Sequence, residues 1–101
     1  MLERIGFDSN DAIPSLIEAL KYKDLRTYAA DRLLNIGPKA VPELIKALEG
    51  DYGPVREYAA WILGKMGPGA KAAIPALTAA LWDKDKSVRG TAQKALENIQ
   101  R

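Results

Sequence analysis

The sequence predicts an all-α fold: an α-solenoid of about three stacked antiparallel helix pairs, starting with the tail of a preceding repeat. Composition is the first observation behind this. Hydrophobic residues make up 48% and charged residues 28% of the chain, which suits a folded protein rather than a disordered one. Alanine and leucine dominate the apolar fraction and aromatics reach only 7%, a balance that favours helices over a sandwich or barrel. Length is the second observation. With 101 residues there is room for one small domain and no second core. The third and strongest is internal repetition.

Three segments carry Ala-(Ile/Val)-Pro-x-Leu closing on a leucine: AIPSLIEAL at 12–20, AVPELIKAL at 40–48 and AIPALTAAL at 73–81. Each reads as a first helix, A. Proline is tolerated in its first turn, where the missing N–H has no intrahelical partner. Ile13, Leu16, Ile17 and Leu20 recur at i, i+3, i+4, i+7 and form one apolar stripe. A second segment follows each time: LRTYAADRLLNIGP at 25–38, VREYAAWILGKMGP at 55–68 and VRGTAQKALENIQR at 88–101. These read as helix B. Leu25, Ala29, Leu33 and Ile36 share one face, echoed by Val55, Ala59, Leu63, Met66 and by Val88, Ala92, Leu96, Ile99. Gly37-Pro38 and Gly67-Pro68 end the first two B helices, through a left-handed glycine and a proline that cannot continue the ladder.

The spacing from Pro14 to Pro42 is 28 residues and from Pro42 to Pro75 is 33. The stretch from Leu20 to Arg26 is two residues shorter than its equivalents, and the stretch from Gly37 to Pro42 is three shorter than Gly67 to Pro75. The helices keep their register while the turns absorb the difference. Helices of this length are marginal alone, so each pair must bury its stripe against its partner and the next pair.

These residues resemble HEAT repeats, in particular the short HEAT-like repeats of the phycobilisome-lyase type. Asp83 and Asp85 before Val88-Arg89 match that family's turn, Asp24 fits the shortened first turn, and Asp51 sits one place off in the second. The resemblance divides the chain into repeats at 10–38, 39–69 and 70–101, the last with a polar C-terminal cap. Leu2-Glu3-Arg4-Ile5-Gly6 matches the ends of the B helices, so residues 1–7 read as the tail of a preceding B helix or as an N-terminal cap. A piece of a longer array and a short protein with a degenerate cap are the two readings of that match.

Several chemistries are excluded. The chain has neither histidine nor cysteine, which removes the commonest general base, thiol nucleophiles and the usual zinc ligands. No phosphate-cradling glycine motif and no nucleophile elbow occurs. No catalytic residue, cofactor or metal is expected. Fifteen basic residues against thirteen acidic give a formal charge of +2, too balanced for a dedicated nucleic-acid binder. No apolar run approaches a membrane span and no signal peptide is visible, so a cytoplasmic protein with no membrane partner is the expectation.

Two residue sets invite chemistry and have plainer explanations. Asp83 and Asp85 read as residues that cap the last B helix and order its turn rather than as metal ligands. Arg26, Arg56 and Arg89 recur at one helical position and read as partners of turn aspartates and carbonyls of their own or an adjacent repeat.

Function in a solenoid belongs to its faces. With the B core centred on the Ala29 column, the outermost positions are Thr27, Asp31, Leu34 and Asn35, then Glu57, Trp61, Gly64 and Lys65, then Gly90, Lys94, Glu97 and Asn98. The resemblance places this face on the concave side. Trp61 is the outlier there: either an anchor for a protein or peptide partner, or a side chain laid across its neighbour. Tyr58 and Tyr28 flank it, and Asp31, Lys65 and Lys94 complete the expected partner-binding set. A second expected interface is the outer face of the third A helix, Ala72, Ala76, Ala79 and Trp82, where the first two A helices are polar. Another chain, a missing domain or a second copy is its expected cover, and the apolar N-terminal end is an alternative route to a homo-oligomer. The chain therefore reads as a non-catalytic interaction module or scaffold. The resemblance also implies an alternative, an accessory subunit of a phycobilin-lyase-like tetrapyrrole attachment enzyme. HEAT-like DNA glycosylases suggest a further one, a nucleic-acid-binding module built on Trp61 and Asp31.

Overall fold

The repeating proline and glycine signals become six α-helices in the computed structural model, which describes residues 12–101. The expected tail over 1–7 lies outside those residues. The helices are α1 (Ala12–Ala19), α2 (Arg26–Ile36), α3 (Val41–Ala47), α4 (Gly53–Met66), α5 (Ile74–Ala80) and α6 (Lys86–Gln100). No strand occurs among the described residues. Each odd-numbered helix packs on the even-numbered helix that follows it, and the even-numbered helices lie side by side, α2 on α4 and α4 on α6. This is an all-α solenoid of stacked hairpins. The seam between its layers is dry: Leu20, Leu33, Leu44, Ile62, Leu63, Leu77 and Val88 are fully buried.

The turns absorb the length differences in a definite way. Gly37 and Gly67 both take positive φ, 83° and 65°, a conformation that L side chains rarely adopt. Each donates its N–H to a carbonyl of the last helical turn, to Leu33 and to Gly64 respectively. The chain then winds as a 3₁₀ helix straight into the next odd-numbered helix, over Gly37–Ala40 in the first case and Gly67–Ala73 in the second. The three extra residues of the second connection thus lengthen a 3₁₀ segment from 4 to 7 residues, with a kink at Ala70 (φ −107°, ψ 24°).

The shortened first turn has a cost that the repeat pattern does not reveal. Tyr22, Tyr52 and Asp85 share one extended backbone conformation just before the three winding segments. After Tyr52 and Asp85 an α-helix starts at once. After Tyr22 the residues Lys23–Leu25 form a 3₁₀ turn, so α2 has 11 residues where α4 has 14 and α6 has 15. Leu25, expected in the core, is 46% exposed, whereas its equivalents Val55 and Val88 are at 7% and 0%. Tighter winding changes the angle between successive side chains, and Leu25 is carried off the apolar stripe.

Small residues set the spacing of the even-numbered helices. A Cβ placed on Gly64 would lie 2.8 Å from Cα of Ala95 and 2.9 Å from its Cβ. The backbone of α4 at Gly64 therefore lies directly against Ala95 of α6, with nothing larger than its methyl group at the contact, and this is the most extensive helix–helix contact among the described residues. Gly64 was expected on the outermost face and is instead buried, because a middle helix of a stack buries a flank as well as its base. Leu34, its equivalent in α2, is likewise packed against the core.

Candidate functional site

Arginine geometry fixes how successive repeats meet. The guanidinium of Arg56 is buried, with side-chain exposure of 7%, and it grips Asp83 with two bonds: Nε to Oδ2 at 2.8 Å and Nη2 to Oδ1 at 3.1 Å. Nη2 also reaches Asp85 Oδ2 at 3.2 Å, and Nη1 donates to the Gly50 carbonyl at 3.0 Å. One side chain so ties the turn of the second repeat to the turn of the third. The Asp85 N–H donates to Asp83 Oδ1 at 2.9 Å and shapes the turn further. Hydrogen bonding from Arg56, assisted by the Asp85 N–H, holds the Asp83 carboxyl below its ordinary value against the opposing pull of burial. The same bond raises Arg56.

The aspartates were expected to cap α6. Asp85 does occupy the position before that helix, but its carboxylate makes no cap bond and turns back to Arg56 beside the start of α4, where its oxygen fills the space next to Gly53. The pull of a buried guanidinium exceeds that of an exposed backbone N–H. The other two arginines are engaged more locally. Arg26 donates to the Leu20 carbonyl at 2.8 Å and Arg89 to the Asp83 carbonyl at 2.7 Å. Asp24 and Asp51 stay exposed.

Among the described residues the even-numbered helices line two clefts. The first, between α2 and α4, has a volume of roughly 420 Å³ and is lined by Thr27, Ala30, Asp31, Glu57, Tyr58 and Trp61. The second, between α4 and α6, has roughly 410 Å³, and its lining includes Glu57, Trp61, Lys65, Thr91, Lys94 and Asn98. Trp61 and Glu57 belong to both, so Trp61 forms the ridge between them, 42% exposed. The tilted ring of Tyr58 supports it at 6.3 Å between centroids. Cations sit against both rings: Lys65 Nζ lies 5.5 Å from the Trp61 ring centre, and the Arg26 guanidinium lies 5.5 Å from that of Tyr58. The Arg26 contact joins the first repeat to the second, as Arg56 joins the second to the third.

The structure gathers Asp31, Tyr58 and Trp61 around the first cleft and Trp61, Lys65 and Lys94 around the second. Tyr28 lines neither. It is 57% exposed on the other flank of α2, where Arg32 Nη1 donates to its hydroxyl at 3.0 Å. Positions equivalent to 30 face the following repeat and positions equivalent to 28 face the preceding one, so Tyr28 and Trp61 cannot share a cleft.

On the third A segment, Ala72 and Ala79 are exposed but Ala76 packs partly against the core, which breaks the expected apolar face. Trp82 is 85% exposed and does not fold onto its turn. Sequence reasoning missed an edge: Tyr22, Leu25 and Tyr52 join Trp82 as exposed apolar side chains at the A–B turns. A third cleft of roughly 370 Å³ lies there, lined by residues that include Ile17, Ala47, Tyr52 and Val55. The recurrence of tyrosine four residues before Arg26 and Arg56 was the available signal.

Among the described residues no helix is long and apolar enough to cross a membrane. Comparison with curated proteins returns no match. The family profile of HEAT repeats matches residues 13–97, and with the stacked hairpins it shows that this chain belongs to the HEAT-repeat family.

Proposed function

We propose that the chain is a non-catalytic interaction module, a scaffold that binds a protein or peptide across the face formed by α2, α4 and α6. HEAT repeats generally mediate protein–protein interaction. The observation that carries the reading here is Trp61. A large aromatic stands exposed at the ridge between two clefts, braced by Tyr58 and Lys65, while its neighbours in α4, Ile62, Leu63 and Gly64, are all buried. Tryptophan on a rigid helix offers a large contact area at little entropic cost, which is why it is over-represented among binding hot spots. A nucleic acid suits this face less well, because the first cleft would set its phosphates against Asp31 and Glu57.

Replacement of Trp61 by alanine tests the reading. Binding of a partner recovered by affinity capture is expected to weaken by more than about tenfold, with the melting temperature nearly unchanged. Unfolding of the variant would make Trp61 a core residue and remove the basis of the assignment.

A further inference from the structure

We propose that the cleft between α2 and α4 takes the cationic side chain, an arginine or a lysine, of a partner peptide lying across this face. The inference rests on the binding reading above and adds the chemistry of the partner. Two carboxylates, Asp31 and Glu57, line the cleft, and no basic side chain does. Neither carboxylate has an ion pair or hydrogen bond among the described residues, although Lys21, Lys46 and Arg56 all find acidic partners elsewhere. Tyr58 and Trp61 complete the walls, and both rings already hold a cation of the chain itself. A guanidinium or ammonium entering the cleft meets negative charge and aromatic surface together, the two features that recognise organic cations.

Across the Trp61 ridge the sign changes. The second cleft carries Lys65 and Lys94 against the single carboxylate of Glu57. Charge complementarity therefore orients the peptide, with its basic residue towards α2 and a neutral or acidic residue towards α6. A uniformly acidic partner is repelled by the first cleft and a uniformly basic one by the second.

A displayed library of random dodecapeptides panned against the whole chain is the probe. Enriched sequences are expected to contain a basic residue beside an apolar one. The best of them, synthesised with a fluorophore, is then measured by anisotropy against the parent, the Asp31→Asn/Glu57→Gln double variant and Trp61→Ala. The double variant is expected to bind about tenfold more weakly, as is the peptide with norleucine at its basic position, and the two losses are expected not to add. Asp31 is exposed and Glu57 half-buried, so the double variant should melt like the parent. Weakening by Trp61→Ala with no effect of the double variant keeps the face and overturns the cation site. No effect of either change overturns both. Enriched peptides without a basic residue, or failure to enrich any, also count against the cation site.

Discussion

Arg56 is the residue at which two turns are held together, and its chemistry makes stability depend on pH. Asp83 titrates below its ordinary value because Arg56 donates two hydrogen bonds to its ionised form. A carboxyl whose folded value is depressed adds stability that is fully present above its unfolded value, about 3.9, and is lost as pH falls through the folded one. Asp83→Asn is expected to lower the urea midpoint at pH 7, with a loss of about 3 kcal/mol from leaving Arg56 with a weaker partner. The gap between parent and variant should narrow once the pH drops below about 4. A gap that does not change with pH would assign the loss to packing. The arginine ladder itself was legible, since Arg26, Arg56 and Arg89 recur at one position. So was the kind of partner they take, turn aspartates and carbonyls of the same or the next repeat, but not which aspartate goes to which arginine. Local rules offer Asp85 to the nearest helix start, and only the stacking of turns brings it to a guanidinium 29 residues away.

Among the elements, α4 is the most constrained, with a neighbour on each flank and α3 beneath. Its buried set includes Ala59, Ala60, Ile62, Leu63 and Gly64, more than one apolar stripe. Period counting finds the stripe that faces the odd-numbered helices and misses the flank that faces α6, because alanine and glycine carry too little hydrophobicity to mark it. Gly64→Ala tests that flank. Alanine has the better intrinsic helix propensity by about 1 kcal/mol. The clash with Ala95 should nevertheless make the variant less stable, by roughly 1–3 kcal/mol, measured as a shift of the denaturation midpoint. A more stable variant would mean that the backbones are not in contact. The 3₁₀ start of α2 was equally hidden. Two missing residues were visible in the turn, but whether the helix or the loop would yield depends on Leu20 and Arg26 keeping their places, Leu20 buried in the core and its carbonyl bonded to Arg26.

At the scale of the molecule the fold class was readable because it rests on redundancy. Three copies of one proline-led stripe and two glycine-proline stops agree, and no single ambiguous residue decides the outcome. The proposed binding face was only partly readable. Helical angles bring Trp61, Asp31, Lys65 and Lys94 outward correctly, yet they do not say that Tyr28 turns to the other flank or that Glu57 is shared by both clefts. Those facts depend on which side of each helix meets the next repeat, information held by the stack and not by the period. The contacts are also uneven along the stack. The α4–α6 interface is extensive and tied by Arg56, whereas the first repeat leaves Leu25 exposed before α2 and joins the second through the weaker Arg26–Tyr58 contact.

Native-state hydrogen exchange tests most directly whether the hairpins depend on one another for their dry interior. The amides of α4 and α6 are expected to open together, with one common free energy equal to that of global unfolding, while α1 and Lys23–Leu25 exchange from a smaller opening. Exchange of α6 well ahead of α4, or equal and independent opening of all three pairs, would contradict the account.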